Sequence, residues 1–259
     1  MPDYILEAQN LCKEFGGLIA VRDVSLQVER EHVHSIIGPN GAGKTTFFNL
    51  LSGNLRPTGG RLIYNGRYIT YLPLHRRAHL GIGRSFQITN IYPNQTVLEN
   101  VRLAAQATDA DSMVIFTHFG RFTGYERRAL EAIDLVGLTG KERFLANMLS
   151  HGDQRKLELA MIVASDPQLM LLDEPTAGMA TEQVPEVIHL IGIIGQGRTV
   201  MLVEHNMNVV MSISDRITVM HNGAVLAKGT PQEITSNETV QSAYLGELYG
   251  DLMEIVQHE

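Results

Sequence analysis

The chain is short of cysteine, of long apolar runs and of positive charge, and each shortage closes off a class of protein. A single thiol, Cys12, excludes an internal disulfide and any zinc site built from clustered cysteines. No apolar run approaches the ~18 residues that a membrane-crossing helix needs. The opening stretch MPDYILEAQ lacks a basic region followed by an apolar block, so no secretory signal is expected there. Lysine and arginine number 21 against 28 acidic residues, a formal charge of −7, which argues against a broad nucleic-acid footprint. Short basic clusters remain at His75-Arg76-Arg77 and Arg127-Arg128, and they read first as solvated faces and second as partner contacts. What is there, 259 residues of which 44% are hydrophobic and 19% charged, suits one large α/β domain, or one domain with an added lobe, in a soluble cytosolic setting.

Val24, Leu26 and Val28 alternate with polar residues, as in a half-buried strand. VHSIIG is a short buried run closed by glycine. RLIYNGRYIT and RITVMHNGAVLAKG each place an Asn-Gly step (Asn65-Gly66 and Asn222-Gly223) between two strand-like arms, which predicts hairpins. From about Thr96 to Thr139 the spacing is helical: Thr96-x-x-Glu99 has the form of a capping box, and ERRALEAIDLVGL predicts a helix ending near Gly140. Strands return in QLMLLDEP and RTVMLVEH, continuous apolar runs that break off at acidic residues, with helical VPEVIHLIGIIGQG between them. Strand, helix, strand with short links predicts a parallel sheet that binds ligands at the carboxyl ends of its strands. Those ends carry Gly38, Asp173-Glu174 and Glu204-His205. The expected fold is therefore an α/β core with an inserted helical lobe.

GPNGAGKT, residues 38 to 45, matches G-x-x-x-x-G-K-[ST]. Its glycines let successive N–H groups curl around phosphate oxygens, Lys44 reaches the β and γ phosphates, and the Thr45 hydroxyl coordinates Mg²⁺. Thr46 extends the helix N-terminus toward the phosphates. A chance match in a chain of this length is on the order of one in a hundred. A buried strand before it and a helix-like TTFFNLLSG after it complete the context, and a glycine-rich turn without ligand would not need the lysine. Nucleotide binding follows.

In LMLLDEP, Asp173 ends a buried strand where it could hold Mg²⁺ through a water. Glu174, next in line, can orient and deprotonate an attacking water. His205 ends a neighbouring strand and is placed to hold the γ-phosphate and Glu174, although a histidine at a strand end is more often structural. Gln87, in GRSFQ, is a neutral group that could touch Mg²⁺ or water. LSHGDQRKLELAMIV reads as a helix capped at Ser150-x-x-Asp153, and the small residues Ser150 and Gly152 leave unpartnered N–H groups that can hold an anion. Whose anion it is, those residues do not say.

The order of GPNGAGKTT, Gln87, LSHGDQ, LMLLDEP and LVEH resembles the nucleotide-binding subunit of ABC transporters over nearly the whole chain. The resemblance implies an α/β P-loop NTPase core of the ABC type with an antiparallel β subdomain and an inserted α-helical subdomain. The implied division is 1–87 and 147–237 for the core, 88–146 for the helical subdomain and 238–259 for a helical tail. It implies binding of ATP with Mg²⁺ by Gly38, Pro39, Asn40, Gly41, Ala42, Gly43, Lys44, Thr45 and Thr46, with Thr45, Gln87 and Asp173 at the metal and Lys44, Gln87, Glu174 and His205 in hydrolysis. It implies a head-to-tail dimer, either a homodimer or a pair with a second ABC ATPase. Ser150, Gly152 and Asp153 of one subunit would then contact the γ-phosphate bound by the other. Phe15 corresponds to the aromatic residue that stacks on adenine; by residue type alone it reads as core. The helical subdomain would dock a transmembrane permease subunit, with Gln87 at its hinge, at the cytoplasmic face of the inner membrane, and a substrate-binding protein would act indirectly.

His151 and Asp153 stand where that family usually has glycine and glutamine, and Ala180 stands where aspartate is common. Asp153 adds negative charge near a phosphate site while complementing the helix dipole. GIGRSFQITNIYPNQTVLENV, LSHGDQRKLELA, DEPTAGM and SAYLGE together resemble the subunits that power branched-chain amino acid importers and related carriers of urea or short amides. Three other expectations compete: the ATPase of a lipid or lipopolysaccharide exporter, a soluble ABC-type switch acting on ribosomes or DNA, and a regulator with little turnover. In the tail, Leu245, Leu248, Leu252, Ile255 and Val256 have helical spacing.

Overall fold

Asn-Gly turns, a glycine-rich loop and two apolar runs organise a computed structural model that describes residues 3–85, 91–107 and 122–244. Strands β1 (Tyr4–Phe15) and β2 (Leu18–Glu29) form a long antiparallel hairpin. The buried β3 (Val33–Ile37) runs into the glycine-rich loop and α1 (Lys44–Ser52). β4 (Gly59–Tyr64) and β5 (Arg67–Tyr68) pair through Asn65 and Gly66, whose φ values of 48° and 71° are the positive pair that a tight hairpin turn demands. α2 (Leu74–His79) and β6 (Ile82–Arg84) lead to the helical lobe, α3 (Val97–Ala107) and α4 (Phe122–Leu135). α5 (His151–Ala164) returns the chain to β7 (Leu169–Asp173), α6 (Val184–Ile194) and β8 (Thr199–Val203). α7 (Met207–Ile213), the second Asn-Gly hairpin β9 (Arg216–His221) and β10 (Ala224–Gly229), α8 (Pro231–Thr235) and α9 (Glu238–Tyr244) close the described part. The five tail positions with helical spacing lie outside it.

The strands sort into a four-stranded antiparallel sheet, β2-β1-β4-β5, and a six-stranded sheet, β10-β9-β3-β8-β7-β6, whose members from β9 to β6 run parallel. The continuous apolar runs of β7 and β8 follow from burial on both faces. Leu169, Leu171, Met201 and Val203 pack with α1 and the antiparallel sheet, while Met170, Leu172, Val200 and Leu202 pack under the helices. Because β3, β8 and β7 are neighbours, the segments that follow them emerge together along one edge.

α5 is capped as its spacing predicts, the Asp153 N–H donating to Ser150 Oγ at 3.2 Å. It packs against α3 and α4 on one side. Leu157, Leu159 and Ala160 are buried, so its apolar pattern is dense all round.

Three expectations need correction. The helix of ERRALEAIDLVGL ends at Leu135 instead of near Gly140. Gly137 takes a φ of 73°, and the Leu138 N–H closes back on the Ile133 carbonyl, a Schellman stop. Thr96 caps only one way: it accepts the Glu99 N–H, while the Glu99 carboxylate turns to Arg102. The basic cluster His75-Arg76-Arg77 is not a solvated face throughout. Arg77 is 1% exposed and donates to the carbonyls of Leu50, Leu51, Ile69, Thr70 and Leu72, plugging the C-terminal end of α1. Burial pushes its guanidinium pKa down to about 10.

His34, on β3, is buried with Nε2 2.8 Å from Thr218 Oγ1. Burial, then the charges of Lys228, Arg216 and His32, push its pKa down to about 4. The unfolded chain, near 6.5, therefore binds the proton more readily, and stability is lost as pH falls from about 6.5 toward 4. The shift corresponds to about 3 kcal/mol at the acid end. Denaturant titrations across this window should show a shallower pH dependence for His34→Gln, and an unchanged dependence would reject the assignment.

Candidate functional site

The loop after β3 is shaped for close backbone approach. Gly38, Gly41 and Gly43 have φ values of 155°, 79° and 92°. A Cβ at Gly38 would stand 2.2 Å from the Met220 carbonyl oxygen, and one at Gly43 2.4 Å from that of Ala20. Only glycine fits these positions. Gly43 caps α1 without a side-chain hydrogen bond, so the first amides of the helix are left for an anion. Pro39, Asn40 and Ala42 complete the loop. Lys44 folds back over it, Nζ donating to the Gly38 carbonyl at 2.5 Å and to Pro39 at 3.1 Å. Burial lowers the lysine pKa, and the carboxylates of Glu174 and Asp173 oppose that shift. Thr45 is exposed and Thr46 half-buried at the mouth.

Asp173 ends β7 almost fully buried. Burial raises its pKa, against the pull of Arg84, whose Nη2 lies 3.3 Å from Oδ2. Its other oxygen, Oδ1, is buried and has no hydrogen-bond partner among the described residues. A buried carboxylate oxygen with unused lone pairs, within electrostatic reach of Lys44 at the head of α1, fits a hard cation with oxygen ligands such as Mg²⁺.

Glu174 adopts a φ of 46°, uncommon for a residue with a Cβ, while its N–H donates to the Val203 carbonyl at 2.9 Å. This sharp turn takes its side chain off the strand. His205 Nδ1 lies 3.9 Å from both Glu174 Oε1 and Glu204 Oε2, beyond hydrogen-bond range but close enough to tighten. Glu204 is fully buried and accepts from the Thr176 N–H and hydroxyl and from the N–H groups of His205 and Asn206. It thereby ties the turn after β8 to the turn after β7.

The structure gathers Gly38–Thr46, Asp173, Glu174 and His205 on one edge. Ser150, Gly152 and Asp153 stand at the start of α5, whose His151 shares a small cavity with Asp173 and Glu174, and among the described residues no hydrogen bond or ion pair links the three to the loop. Lys141 Nζ lies 2.6 Å from Asp153 Oδ2. Burial works against the ionised form of Asp153, but the bonds from Lys141 and Ser150 outweigh it and hold the carboxyl below its usual range. Phe15, at the end of β1, is 45% exposed, which overturns the core reading of that residue; Lys13 Nζ lies 4.9 Å from its ring centre. Gln87 lies outside the described residues. Arg84 and Arg155, which shape the edge, are not singled out by the sequence, which places Glu204 at a strand end without giving it a role. The only signal for the two arginines is that they stand next to motifs.

Loop, helix and buried acidic strand end define the class of P-loop nucleotide-binding proteins. Comparison with known proteins narrows this. The ABC transporter family model matches residues 21–177, and a branched-chain amino acid ATP-binding cassette transporter model matches residues 224–249. The chain is 39% identical over 256 residues to the high-affinity branched-chain amino acid transport ATP-binding protein LivG of Salmonella typhimurium, covering 95% of this chain and all of that one. It is 42% identical over 251 residues to BraF of Pseudomonas aeruginosa, a protein described in the same words, covering 94% and 98%. The lipopolysaccharide export ATP-binding protein LptB of Acidithiobacillus ferridurans is 35% identical over 246 residues, covering 95% and 98%. The ADP conformation of MJ1267, an ATP-binding cassette of an ABC transporter, superposes with a TM-score of 0.81 at 27% identity, covering 95% and 100%. A dimeric post-hydrolysis state of the cassette MJ0796, bound to ADP and Pi, gives 0.75 at 26%, covering 87% and 98%. The chain belongs to the ABC transporter family and is an ATP-binding cassette ATPase of it.

Proposed function

We propose that the chain is the ATP-hydrolysing subunit that energises an importer of branched-chain amino acids or related small amino acids and amides. The observation that carries this reading is the match of residues 224–249 to the branched-chain model, joined to the identity with LivG and BraF over nearly the full length. The exporter reading has the LptB similarity in its favour, at lower identity.

In this reading the glycine-rich loop and the amides of α1 hold the phosphates, and Lys44 exchanges its two carbonyl partners for β and γ oxygens. Thr45 and, through a water, Asp173 would hold Mg²⁺, with Gln87 as a further ligand. The metal supplies charge neutralisation across the phosphate oxygens. Glu174 orients the attacking water and accepts its proton, and His205 steadies Glu174 and the γ-phosphate. Phe15, exposed at the end of its hairpin, stacks on adenine. Ser150, Gly152 and Asp153, bonded to no residue of their own loop among those described, meet the γ-phosphate of a second subunit, identical or paired. The Lys141–Asp153 pair offsets the charge that Asp153 brings there.

The core is assigned to 1–87 and 147–237, the helical subdomain to 88–146 and the tail to 238–259. Between core and helical lobe runs an apolar groove of about 330 Å³ lined by Leu74, Ala78, Ile82, Ala104 and Met161, a suitable seat for a permease segment. No described helix is long and apolar enough to cross a membrane. The chain would work peripherally at the cytoplasmic face of the inner membrane, without a nucleic-acid partner. The test is reconstitution of the native membrane complex in vesicles. ATP hydrolysis stimulated by a binding protein loaded with leucine, isoleucine or valine is the expected result; stimulation by lipopolysaccharide or lipid alone would overturn it.

A further inference from the structure

Arg155 stands in the second turn of α5, the helix whose N-terminus is assigned to a phosphate across the dimer. Its guanidinium leaves that helix and spans the turn that follows β7. Nε donates to the Pro175 carbonyl at 3.0 Å, and Nη2 donates to the carbonyls of Asp173 at 3.2 Å and Glu174 at 2.9 Å. Nη1 meets Glu158 Oε2 at 2.5 Å, and both side chains are nearly buried, at 12% and 7% exposure. The turn needs such support. Glu174 holds an uncommon positive φ, and that conformation persists only where the surroundings over-determine it. Glu204 secures the turn from the β8 side through Thr176. From the α5 side, Arg155 makes three bonds to the three consecutive carbonyls around the catalytic carboxylate.

We propose that Arg155 is a positioning residue for hydrolysis: it locks the backbone of Asp173-Glu174-Pro175 to α5, so that the placement of Glu174 depends on the placement of the helix that reaches toward the second ATP. The inference rests on Glu174 being the group that acts on water. A planar fork is what the geometry demands, because one side chain must serve three carbonyls and a carboxylate in fixed directions, which an ammonium cannot do. Glu158, which orients the fork, also lines the groove between core and helical lobe. Whatever fills that groove lies two side chains away from the catalytic turn.

The test compares purified wild type, Arg155→Gln, Arg155→Lys and Glu158→Gln. For Arg155→Gln, kcat is expected to fall roughly ten- to a hundredfold, the cost of a small misplacement of a catalytic group, with KM for ATP within about twofold. Arg155→Lys should recover part of the rate, and Glu158→Gln, which keeps shape and volume, should show a smaller loss in the same direction. Hydrogen exchange gives a readout independent of turnover. The amides of residues 174–179 should exchange faster in Arg155→Gln, while those of β8 stay protected. Wild-type kcat in both Arg155 variants, or unchanged exchange in the 174–179 segment, would overturn the proposal. A rate loss accompanied by an equal loss of nucleotide affinity and of β8 protection would also overturn it, since that marks general unfolding. If the wild-type chain binds ATP without hydrolysing it, the reading of Glu174 fails, and the exchange result still decides whether Arg155 holds the turn.

Discussion

Glu174→Gln is expected to lower the ATP turnover number about a thousandfold, the scale of losing a well-placed general base, while ATP binding survives. Glutamine keeps the length and planar head of glutamate, and the turn that places it is held by the Val203 carbonyl, Arg155 and Glu204, none of which contacts the carboxylate that is altered. The loop and Lys44 bonds are likewise untouched. The phosphates are therefore gripped as before, while the carboxylate assigned to take the proton from water is gone. In the proposed dimer, ATP that cannot be cleaved would keep bridging the loop of one subunit and the α5 terminus of the next. Size-exclusion chromatography in ATP and Mg²⁺ should then show a dimer that wild type, turning over, does not accumulate. Asp173→Asn should behave differently. It removes the negative charge that faces Arg84 and turns one of the two oxygens into an amide nitrogen that cannot bind a cation, so Mg²⁺-dependent affinity should fall together with rate. Turnover of Glu174→Gln at the wild-type rate would move the base to another residue.

How much of this could be read from sequence depends on whether the information is local. β7 and β8 were legible because a strand buried on both faces must be apolar at every position, and both end where an acidic residue interrupts the run. The two hairpins were legible because Asn-Gly takes the positive φ pair that they need. The loop at 38–46 declares itself by its glycines, two of which, Gly38 and Gly43, leave no room for a Cβ, and the carboxyl edge that brings it to Asp173, Glu174 and His205 follows from a parallel sheet. What was hidden is long-range. Nothing near Arg77 distinguishes it from Arg76, yet one is fully buried and the other exposed. Arg155 bonds to carbonyls eighteen to twenty residues away, and a backbone acceptor has no side-chain signature. Residue type alone misplaces Phe15 because the hairpin end runs past β4, whose pairing stops at Cys12, and leaves it paired with the exposed Leu18. The end of α4 was misjudged because two glycines, Gly137 and Gly140, could each have stopped it, and the first one did.

Arg77→Met should destabilise the fold by about 4 kcal/mol, within the range for removing one member of a buried charged network. Methionine fills much of the apolar stem's volume but offers no donor to any of the five carbonyls that the guanidinium serves. Two of these retain another donor, since the Gly53 N–H reaches Leu50 and the Leu72 N–H reaches Ile69. The buried carbonyls of Leu51 and Thr70 lose the guanidinium at roughly 1–3 kcal/mol for each one left unsatisfied, and the part-buried Leu72 carbonyl loses it as well. The loss also strips a cation from the C-terminal end of α1, where the helix dipole favours one. Gly53 belongs to the same device: at a φ of 84°, a Cβ there would stand 2.7 Å from Arg77 Nε and 2.8 Å from the Leu72 carbonyl. Arg77→Lys should restore only part of the stability, because a single ammonium cannot span carbonyls on both sides of the plug. Arg76→Ala, one residue away and exposed, should change stability by less than about 0.5 kcal/mol. Urea titrations of the three variants decide the matter. An Arg77→Met protein within about 1 kcal/mol of wild type would mean that water reaches these carbonyls and that the guanidinium is not what holds the end of α1.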